Sequence, residues 1–261
     1  MSSDAWKSCL VTGAAGGIGR ALARTFSDAG YYVIATDIVQ APDGIVCQHY
    51  VSADLERFAR DEQYARQVVS EIRKALGGKC LNVLINNAAV QILGGTDKLS
   101  RADWKATLNV NVLTPFLLTQ ALLPDLEAAS EHSACVINIS SIHARLTKKN
   151  FVAYATSKAA LSGMTRALAV DLGPRVRINA IEPAAIQTPM LEAGFKENVK
   201  QYAQLKNCHP RLSLGQPDEV ARLALAIANG ELAFLHGSCI TLDGGISARL
   251  FDPAELGSCG V

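Results

Sequence analysis

The sequence lacks an excess of charge of either sign. Its 261 residues include 25 lysines and arginines and 24 aspartates and glutamates, which gives a formal net charge of +1. Proteins that hold nucleic acid or an anionic membrane surface mainly by charge carry a clear basic excess. We therefore expect neither of these partners.

Long apolar runs are missing as well. No stretch reaches the roughly 18 consecutive apolar residues that a membrane-spanning helix needs. The segment at residues 1–7 is short and polar and leads directly into an apolar strand, so we expect no signal peptide. A cytoplasmic protein is the expectation that follows.

Cysteine is present without a pattern. The seven cysteines are scattered, their number is odd, and no two have the CxxC spacing. This argues against a disulfide framework and against a zinc site, so we expect no metal. Plain thiols in a reducing compartment are the simplest interpretation.

Linkers, repeats and low-complexity tracts are also absent, and we expect one domain over residues 1–261. The composition, 49% hydrophobic and 19% charged, is that of a globular chain with a sizeable core. The less regular stretch at residues 188–214 is the best candidate for a flap over a substrate, although an ordinary surface excursion would have the same pattern. The polar tail, residues 250–261, favours neither disorder nor packing on a neighbouring subunit.

Strand-like apolar runs alternate with longer amphipathic segments. The predicted strands are residues 8–12, 32–37, 45–51, 81–86, 134–139, 177–181 and 238–242, and the predicted helices are 18–29, 60–76, 102–129, 152–172 and 217–228. Such alternation predicts an α/β fold in which helices cover both faces of a doubly wound parallel sheet.

A glycine-rich turn, TGAAGGIG at residues 12–19, follows the first predicted strand and precedes a helix. Glycines allow a tight turn and let backbone N–H groups approach a pyrophosphate at the helix N-terminus. The glycine spacing is weak evidence alone, but this context is the one a dinucleotide needs. We expect Gly13, Gly17, Ile18 and Gly19 to contact the cofactor.

Asp37 ends the second predicted strand. A carboxylate there can accept hydrogen bonds from both ribose hydroxyls of the adenosine half and would repel a 2′-phosphate. No lysine or arginine lies within the turn or directly after Asp37, and Arg20 is expected to point away along its helix. The sequence therefore favours NAD as cofactor, with NADP the less favoured alternative.

Tyr154 and Lys158 lie four residues apart in a helical pattern and share one helix face. Alcohol oxidation needs a base that takes the hydroxyl proton while hydride leaves the carbon. A phenol is mostly protonated at neutral pH, but an ammonium and an oxidised nicotinamide ring both favour the phenolate. Tyr154 is thus the candidate general base in oxidation and the proton donor in reduction.

Two further residues complete the candidate catalytic set. Ser141 follows the fifth predicted strand, where ligands bind in such sheets, and its hydroxyl can hydrogen-bond a substrate oxygen. Asn111 lies in a long helical stretch, and its amide can hold a water that links Lys158 to solvent. Each residue alone fits a plain structural role, and only their joint order behind a dinucleotide turn favours catalysis.

Over residues 7–246 the chain resembles the classical short-chain dehydrogenase/reductase family. The motifs that carry the resemblance are TGAAGGIG, Asp54-Leu55, NNAA at 86–89, the Asn111 segment, Ser141, YATSK at 154–158, INAIEPAAIQTPM at 178–190 and DGG at 243–245. The resemblance implies a Rossmann-type sheet of seven strands in the order 3-2-1-4-5-6-7. It also implies a homo-oligomer, a tetramer or a dimer, built from the long helices at 102–129 and 152–172.

The resemblance implies roles for individual residues too. Asn111, Ser141, Tyr154 and Lys158 would form a catalytic tetrad in which Lys158 also binds the nicotinamide ribose. The other implied cofactor contacts are Asp54 and Leu55 at the adenine, Asn87 and Ala88 at the ribose and pyrophosphate, and Ile186 and Thr188 at the carboxamide. The sequence departs from the family at Ala89 and Ala184, where glycine is usual, and an added methyl can tighten the nicotinamide end or shift the flap.

The substrate is less defined by the sequence. Residues 142–151 should border the pocket, and their basic side chains either bind an anionic group such as a carboxylate or form a solvated loop. His143 is a wall residue or a second acid–base group, and Gln91 is another candidate for the pocket, together with Ser141. A hydroxy acid, a sugar or polyol, a 3-oxoacyl thioester and a cyclic secondary alcohol stay open.

The predicted function is an NAD(H)-dependent oxidoreductase that interconverts a secondary alcohol and a ketone. One alternative is an NAD-binding redox sensor or structural subunit without turnover, which would be expected to lose the serine, tyrosine or lysine. Another is a non-redox enzyme on the same fold, which could discard the cofactor turn. The sequence retains both the serine, tyrosine and lysine and the glycines of the cofactor turn.

Overall fold

A computed structural model describes residues 7–129, 134–195 and 199–250. Seven strands in these ranges form one sheet, in which every neighbouring pair is parallel. They are β1 (Lys7–Thr12), β2 (Tyr31–Asp37), β3 (His49–Ser52), β4 (Val83–Asn86), β5 (Cys135–Ile139), β6 (Arg177–Pro183) and β7 (Cys239–Leu242). Their order, β3-β2-β1-β4-β5-β6-β7, confirms the predicted topology.

Helices cover both faces of the sheet. They are α1 (Gly17–Asp28), α2 (Leu55–Arg60), α3 (Glu62–Leu76), α4 (Arg101–Leu108), α5 (Thr114–Ala121), α6 (Leu123–Glu127), α7 (Val152–Leu172), α8 (Pro189–Ala193), α9 (Val199–Asn207) and α10 (Pro217–Ala228). Short 3-10 turns follow β5 at Ile142–Ala144 and β7 at Ile246–Ala248.

Successive residues of a central strand point to opposite faces, and both faces are apolar because helices cover both. In β1, Cys9 and Val11 pack with α1 and α10 on one face. Leu10 packs with α3, α5 and α7 on the other face. The order of the strands reverses between β1 and β4, which opens a crevice at their carboxyl ends.

The predicted helix at 102–129 is wrong as one continuous element. Pro115 has no N–H, so the carbonyl of Asn111, four residues earlier, loses its α-helical donor. The chain makes a π-helical turn at Asn109–Leu113 and continues as α5, with Pro115 in the first turn. Pro124, in the first turn of α6, marks a second break.

Two other boundaries differ from the prediction. The helix at 60–76 is wrong at its start, because Asp61 ends α2 and caps α3 by accepting a hydrogen bond from the Tyr64 N–H at 3.0 Å. The strand at 45–51 pairs with β2 only from His49 onward. Ile45 and Cys47 pack against the core from outside the sheet.

A polar seam joins α7 to the sheet. The Asn138 amide of β5 donates to the hydroxyl of Thr165 in α7 at 2.9 Å, and the Asn86 amide of β4 donates to Asn138 at 2.9 Å. The hydroxyls of Ser140 and Ser162 lie 2.8 Å apart. Because hydrogen bonds are directional, they fix the position of α7 along its own axis, and with it the positions of Tyr154 and Lys158.

The remaining expectations concern the periphery of the fold. The proposed flap, residues 188–214, contains α8 and α9, and the tail at 251–261 lies outside the described residues. Of the helices that the structure describes, none has the length and apolarity to cross a membrane. The cysteines in the described ranges are free thiols.

Candidate active site

The glycine turn is shaped by close backbone contacts. A Cβ atom on Gly19 would lie 2.0 Å from the Gly13 carbonyl oxygen, and one on Gly13, whose φ is +65°, would lie 2.7 Å from the Ala88 Cα. Helix α1 begins directly after the turn with Gly16 as its N-cap and no side-chain cap. Its first N–H groups therefore have no side-chain acceptor and suit a phosphate.

Thr12 and Asn87 fasten this turn to the end of β4. The Asn87 amide donates to the carbonyl oxygens of Thr12 and Gly13 at 2.9 and 3.0 Å. In return, the Thr12 hydroxyl accepts from the N–H groups of Asn87 and Ala88 at 2.9 and 3.0 Å. Asn87 and Ala88 thus lie at the crevice as predicted, whereas the role of Thr12 was missed although it opens the TGAAGGIG motif.

Asp37 lies beside the glycine turn. Its carboxylate accepts from the Ala15 N–H at 3.0 Å and from the Ile38 N–H at 2.8 Å. The expected direction of Arg20 is wrong. Its guanidinium folds back over the turn, because the carbonyl oxygens of Ala15 and Asp43 accept from it at 3.0 and 3.2 Å. A cation therefore lies next to the turn that Asp37 borders.

Asp54 and Leu55 lie just beyond the end of β3. One Asp54 oxygen caps α2 by accepting from the N–H groups of Glu56 and Arg57 at 2.9 and 3.0 Å. The Leu55 side chain is buried, and its carbonyl accepts from the Thr114 hydroxyl at 2.7 Å. These contacts place the two predicted adenine contacts near the same sheet edge as Asp37.

Ser141, Tyr154 and Lys158 come together where β5 ends. Ser141 is buried, and its hydroxyl lies 3.5 Å from the Pro183 carbonyl oxygen at the end of β6. The Lys158 ammonium is buried, donates to the Ile139 carbonyl at 2.8 Å and lies 5.7 Å from the centre of the Tyr154 ring. The i, i+4 spacing on α7 thus puts the phenol and the ammonium on the face that meets the strand end.

Burial controls the titration of this group. It raises the pKa of Tyr154 to about 12, and the hydrogen bond with Ser141 opposes the rise. It also lowers the pKa of Lys158 to about 8. In the chain alone, Tyr154 is therefore a neutral phenol at pH 7, the form that can donate a proton.

The Asn111 side chain is held by protein groups. Asn111 is buried, its amide oxygen accepts from the Val90 N–H at 2.9 Å, and its NH₂ group donates to Val90 O at 2.9 Å and to Ser157 Oγ at 3.0 Å. Both N–H donors are in use, so the amide holds the chain after β4, and a water would use the second lone pair of the amide oxygen.

The predicted substrate residues fall into two environments. His143 stacks on Phe151 with ring centres 4.5 Å apart and meets the Tyr154 ring edge to face at 5.9 Å. Burial, with the charge of Lys148 nearby, lowers the pKa of His143 to about 4, so it is a neutral wall at pH 7. Gln91 is exposed in the segment after β4, whereas Phe151, the last residue of the predicted pocket border, is the ring on which His143 stacks.

Ile186 and Thr188 connect β6 to the glycine turn. Ile186 is buried and forms an isolated parallel bridge with Gly215. The Thr188 hydroxyl caps α8, and its methyl group lies 2.7 Å from where a Cβ on Gly17 would be. The start of residues 188–214 therefore lies directly on the glycine turn.

Ala89 and Ala184, which stand where the resembled family usually has glycine, cause no backbone strain. Among the described residues, Asn150 and Leu212 are the non-glycine residues with positive φ. Ala89 and Ala184 are therefore in conformations that an L-amino acid adopts readily.

Comparison with known proteins agrees with this architecture. The sequence model of a family described as enoyl-(acyl carrier protein) reductase matches residues 13–247. The 3-oxoacyl-[acyl-carrier-protein] reductase FabG of Thermotoga maritima is 32% identical over 246 residues, which are 92% of this chain and 97% of that protein. The NAD-dependent glycerol dehydrogenase of Listeria innocua is 30% identical over 246 residues, 93% and 94% of the two chains.

A solved structure shows the same fold. The ligand-free aldohexose dehydrogenase of Thermoplasma acidophilum matches with a TM-score of 0.86 at 31% identity, over 95% of this chain and 97% of that one. The protein is thus an oxidoreductase with a Rossmann-type fold. It belongs to the classical short-chain dehydrogenase/reductase family.

Two alanine substitutions in the glycine turn should have opposite outcomes. Gly19→Ala places a Cβ against backbone and should lower the free energy of unfolding by about 3 kcal/mol or more. Gly16→Ala meets only Gly13 O at 3.5 Å and should change it by less than about 1 kcal/mol. Urea unfolding of both variants measures the difference, and equal stabilities would contradict this geometry of the turn.

Proposed function

We propose that the protein interconverts a secondary alcohol and a ketone by hydride transfer with NAD(H), with Tyr154 as the acid–base residue. The observation that carries the proposal is the grouping of Ser141, Tyr154 and Lys158 at the end of β5. This group lies at the same edge of the sheet as the crevice that contains the glycine turn. A dinucleotide lying along that edge reaches from the turn to the phenol.

The residues at the crevice fit a nicotinamide dinucleotide. The uncapped N-terminus of α1 suits the pyrophosphate, and the Asp37 carboxylate suits the adenosine ribose hydroxyls. Asp54 and Leu55 border the adenine end, and Ile186 and Thr188 border the nicotinamide end. The bound cofactor accepts or supplies the hydride.

The chain's own groups handle the proton. Tyr154, neutral at pH 7, donates its hydroxyl proton to the substrate oxygen in reduction and takes it back in oxidation. Ser141 holds the same oxygen, and the Lys158 charge favours the phenolate. Asn111 is the proposed holder of a water that links Lys158 to solvent.

The proposed substrate is a small alcohol or ketone held between residues 188–214, which form the flap, and a wall that includes His143, Phe151 and Gln91. Two relatives are named for a 3-oxoacyl thioester and for glycerol, and a structural neighbour for an aldohexose. These chemistries share a secondary alcohol or ketone carbon and differ in what surrounds it.

We propose that residues 1–261 form a single domain and that the chain assembles with copies of itself, as a tetramer or a dimer. Partly exposed apolar side chains support an interface on the two long helical segments: Leu108, Leu113, Phe116, Val152 and Val170. The free thiols support a reducing compartment such as the cytoplasm. Light scattering of the purified protein measures the number of subunits.

The proposal is tested by cofactor binding followed by turnover. Fluorescence titration should show tighter binding of NADH than of NADPH, and absorbance at 340 nm should reveal turnover on one class in a panel of alcohols and ketones. Tyr154→Phe should abolish turnover and leave NADH affinity nearly unchanged, because only the proton-bearing hydroxyl is removed. Tight NADH binding without turnover on any class would instead favour a redox sensor, and a fully active variant would exclude Tyr154.

Ser141→Ala should shift the pH dependence of oxidation. The Ser141 hydrogen bond lowers the pKa of Tyr154, so its loss raises that pKa and moves the rise of oxidation with pH to higher pH. Initial rates of oxidation measured at saturating cofactor from neutral pH into the alkaline range in which a phenol titrates give the shift. Ser100→Ala, at a distant helix cap, should leave the profile in place.

Cofactor preference should depend on Asp37 and Arg20 together. Asp37→Ala removes two ribose hydrogen bonds and should weaken NADH binding by about tenfold, while NADPH binding improves because the Arg20 guanidinium is then unopposed. Adding Arg20→Ala should abolish that improvement. Adding Arg24→Ala instead should not, since Arg24 pairs with Asp218 at 2.7 Å; an unchanged preference in all variants would place selectivity elsewhere.

A further inference from the structure

A buried carboxylate lies beside the candidate active site without taking part in it. Glu182 belongs to β6, immediately before Pro183, and is 1% exposed. Burying a charge is costly unless it is paired and hydrogen-bonded, so its partners decide what the residue does.

One oxygen of Glu182 ends a chain of hydroxyl groups. Ser162 of α7 donates to Oε1 at 2.8 Å. Each serine has one hydroxyl proton, so with that proton directed to the carboxylate, Ser140 supplies the proton between the two hydroxyls, which lie 2.8 Å apart. The Ser140 oxygen also lies 3.1 Å from the Lys158 carbonyl. The carboxylate thus gives a fixed direction to the bonds that join the end of β5 to α7.

The other oxygen faces Arg145. The distance from Oε2 to the guanidinium is 3.0 Å, and within the described residues no hydrogen-bond donor meets Oε2 with good geometry. The positive charge of Arg145 is therefore the main interaction that offsets the cost of burying this oxygen. The same guanidinium donates to the Thr241 hydroxyl of β7.

Arg145 ends the short segment that carries the reacting serine. Ser141 caps the 3-10 turn at Ile142–Ala144 by accepting from the His143 N–H at 3.2 Å, and Arg145 is the residue after that turn. Residues 141–145, the serine loop, are thus held at the Ser141 end by β5 and at the Arg145 end by Glu182.

We propose that Glu182 is a positioning residue for the proposed reaction: through Arg145 and Ser162 it fixes the serine loop against α7, and so sets the placement of Ser141 relative to Tyr154. Because the Glu182 side chain makes both contacts, the serine loop and α7 are positioned relative to the same residue. Pro183, the next residue, adds a third contact through its carbonyl oxygen, 3.5 Å from Ser141 Oγ. The expected effect on kcat rests on the proposed function. The expected effect on the mobility of the serine loop rests on the contacts alone.

The structural test is hydrogen–deuterium exchange of the serine loop, which needs no substrate. Glu182→Gln keeps the shape and a hydrogen bond to Ser162 but removes the charge that Arg145 faces. Amides of residues 142–146 should exchange faster in this variant and in Arg145→Met. Arg145→Lys keeps the charge and should restore most of the protection.

The kinetic test uses whichever substrate the panel identifies. A misplaced Ser141 should lower kcat by between about 10-fold and about 100-fold, while the KM for NADH, whose site lies across the crevice, stays within about twofold. The double variant Glu182→Gln/Arg145→Met should be no worse than the poorer single variant, because both act through one contact.

A matched control separates positioning from loss of stability. Asp125→Asn breaks the Arg73–Asp125 ion pair, 2.9 Å long and remote from the site on α3 and α6. It should lower Tm without changing kcat or the exchange of residues 142–146.

Three results would overturn the proposal: unchanged exchange of the serine loop in both Glu182→Gln and Arg145→Met, an equal loss of kcat in Asp125→Asn, or no rescue by Arg145→Lys. If Glu182→Gln does not fold, Arg145→Met decides alone, since that side chain is half exposed. If the wild-type protein turns over no substrate, the proposed function fails while the exchange data still decide whether Glu182 holds the loop.

Discussion

The position of α7 along the sheet is the constraint on which the site depends. Apolar packing is not directional, so a helix held only by apolar contacts can slide or rotate by small amounts at little cost. Here the sheet-facing stripe of α7 carries hydroxyl groups at Ser162 and Thr165, and these meet Ser140, directly after β5, and Asn138 within it. A displacement of one helical turn, about 5.4 Å, would break every one of these bonds. Tyr154 and Lys158, on the same stripe, are therefore placed by polar contacts made about two and three turns from Tyr154 and about one and two turns from Lys158.

The N-terminus of α1, at the glycine turn, has no side-chain cap. Side-chain oxygens of Asp54, Asp61 and Ser100 cap α2, α3 and α4, whereas α1 has Gly16 at its N-cap and no side-chain acceptor. Leaving N–H groups without an acceptor lowers stability, typically by about 1 kcal/mol per missing cap. The chain accepts this cost at the helix that follows the glycine turn, and an anionic ligand there would recover it.

The sequence predicted the strand order and most strands because central parallel strands are continuous apolar runs bounded by polar or glycine residues, as in β4 and β6. It failed where one residue decides the geometry of a long element, as Pro115 does for α4 and α5. The prediction also failed where a side chain binds a partner that is distant in the sequence and that only folding brings close. Arg20 turns toward the Asp43 carbonyl, and this acceptor cannot be located from local spacing. The grouping of Ser141, Tyr154 and Lys158 was accessible because a strand end and a helical repeat are both local features.

The π-helical turn at Asn109–Leu113 changes the rotational phase of the helix that contains it. An α-helix advances about 100° per residue, so one extra residue in a turn offsets every later side chain by about that angle. The segments on either side consequently face different neighbours: α4 contacts α7, and α5 contacts α2. Between them, the widened turn directs Asn111 into the interior. A single proline thus lets one stretch of chain serve two packing surfaces that a straight helix could not satisfy together.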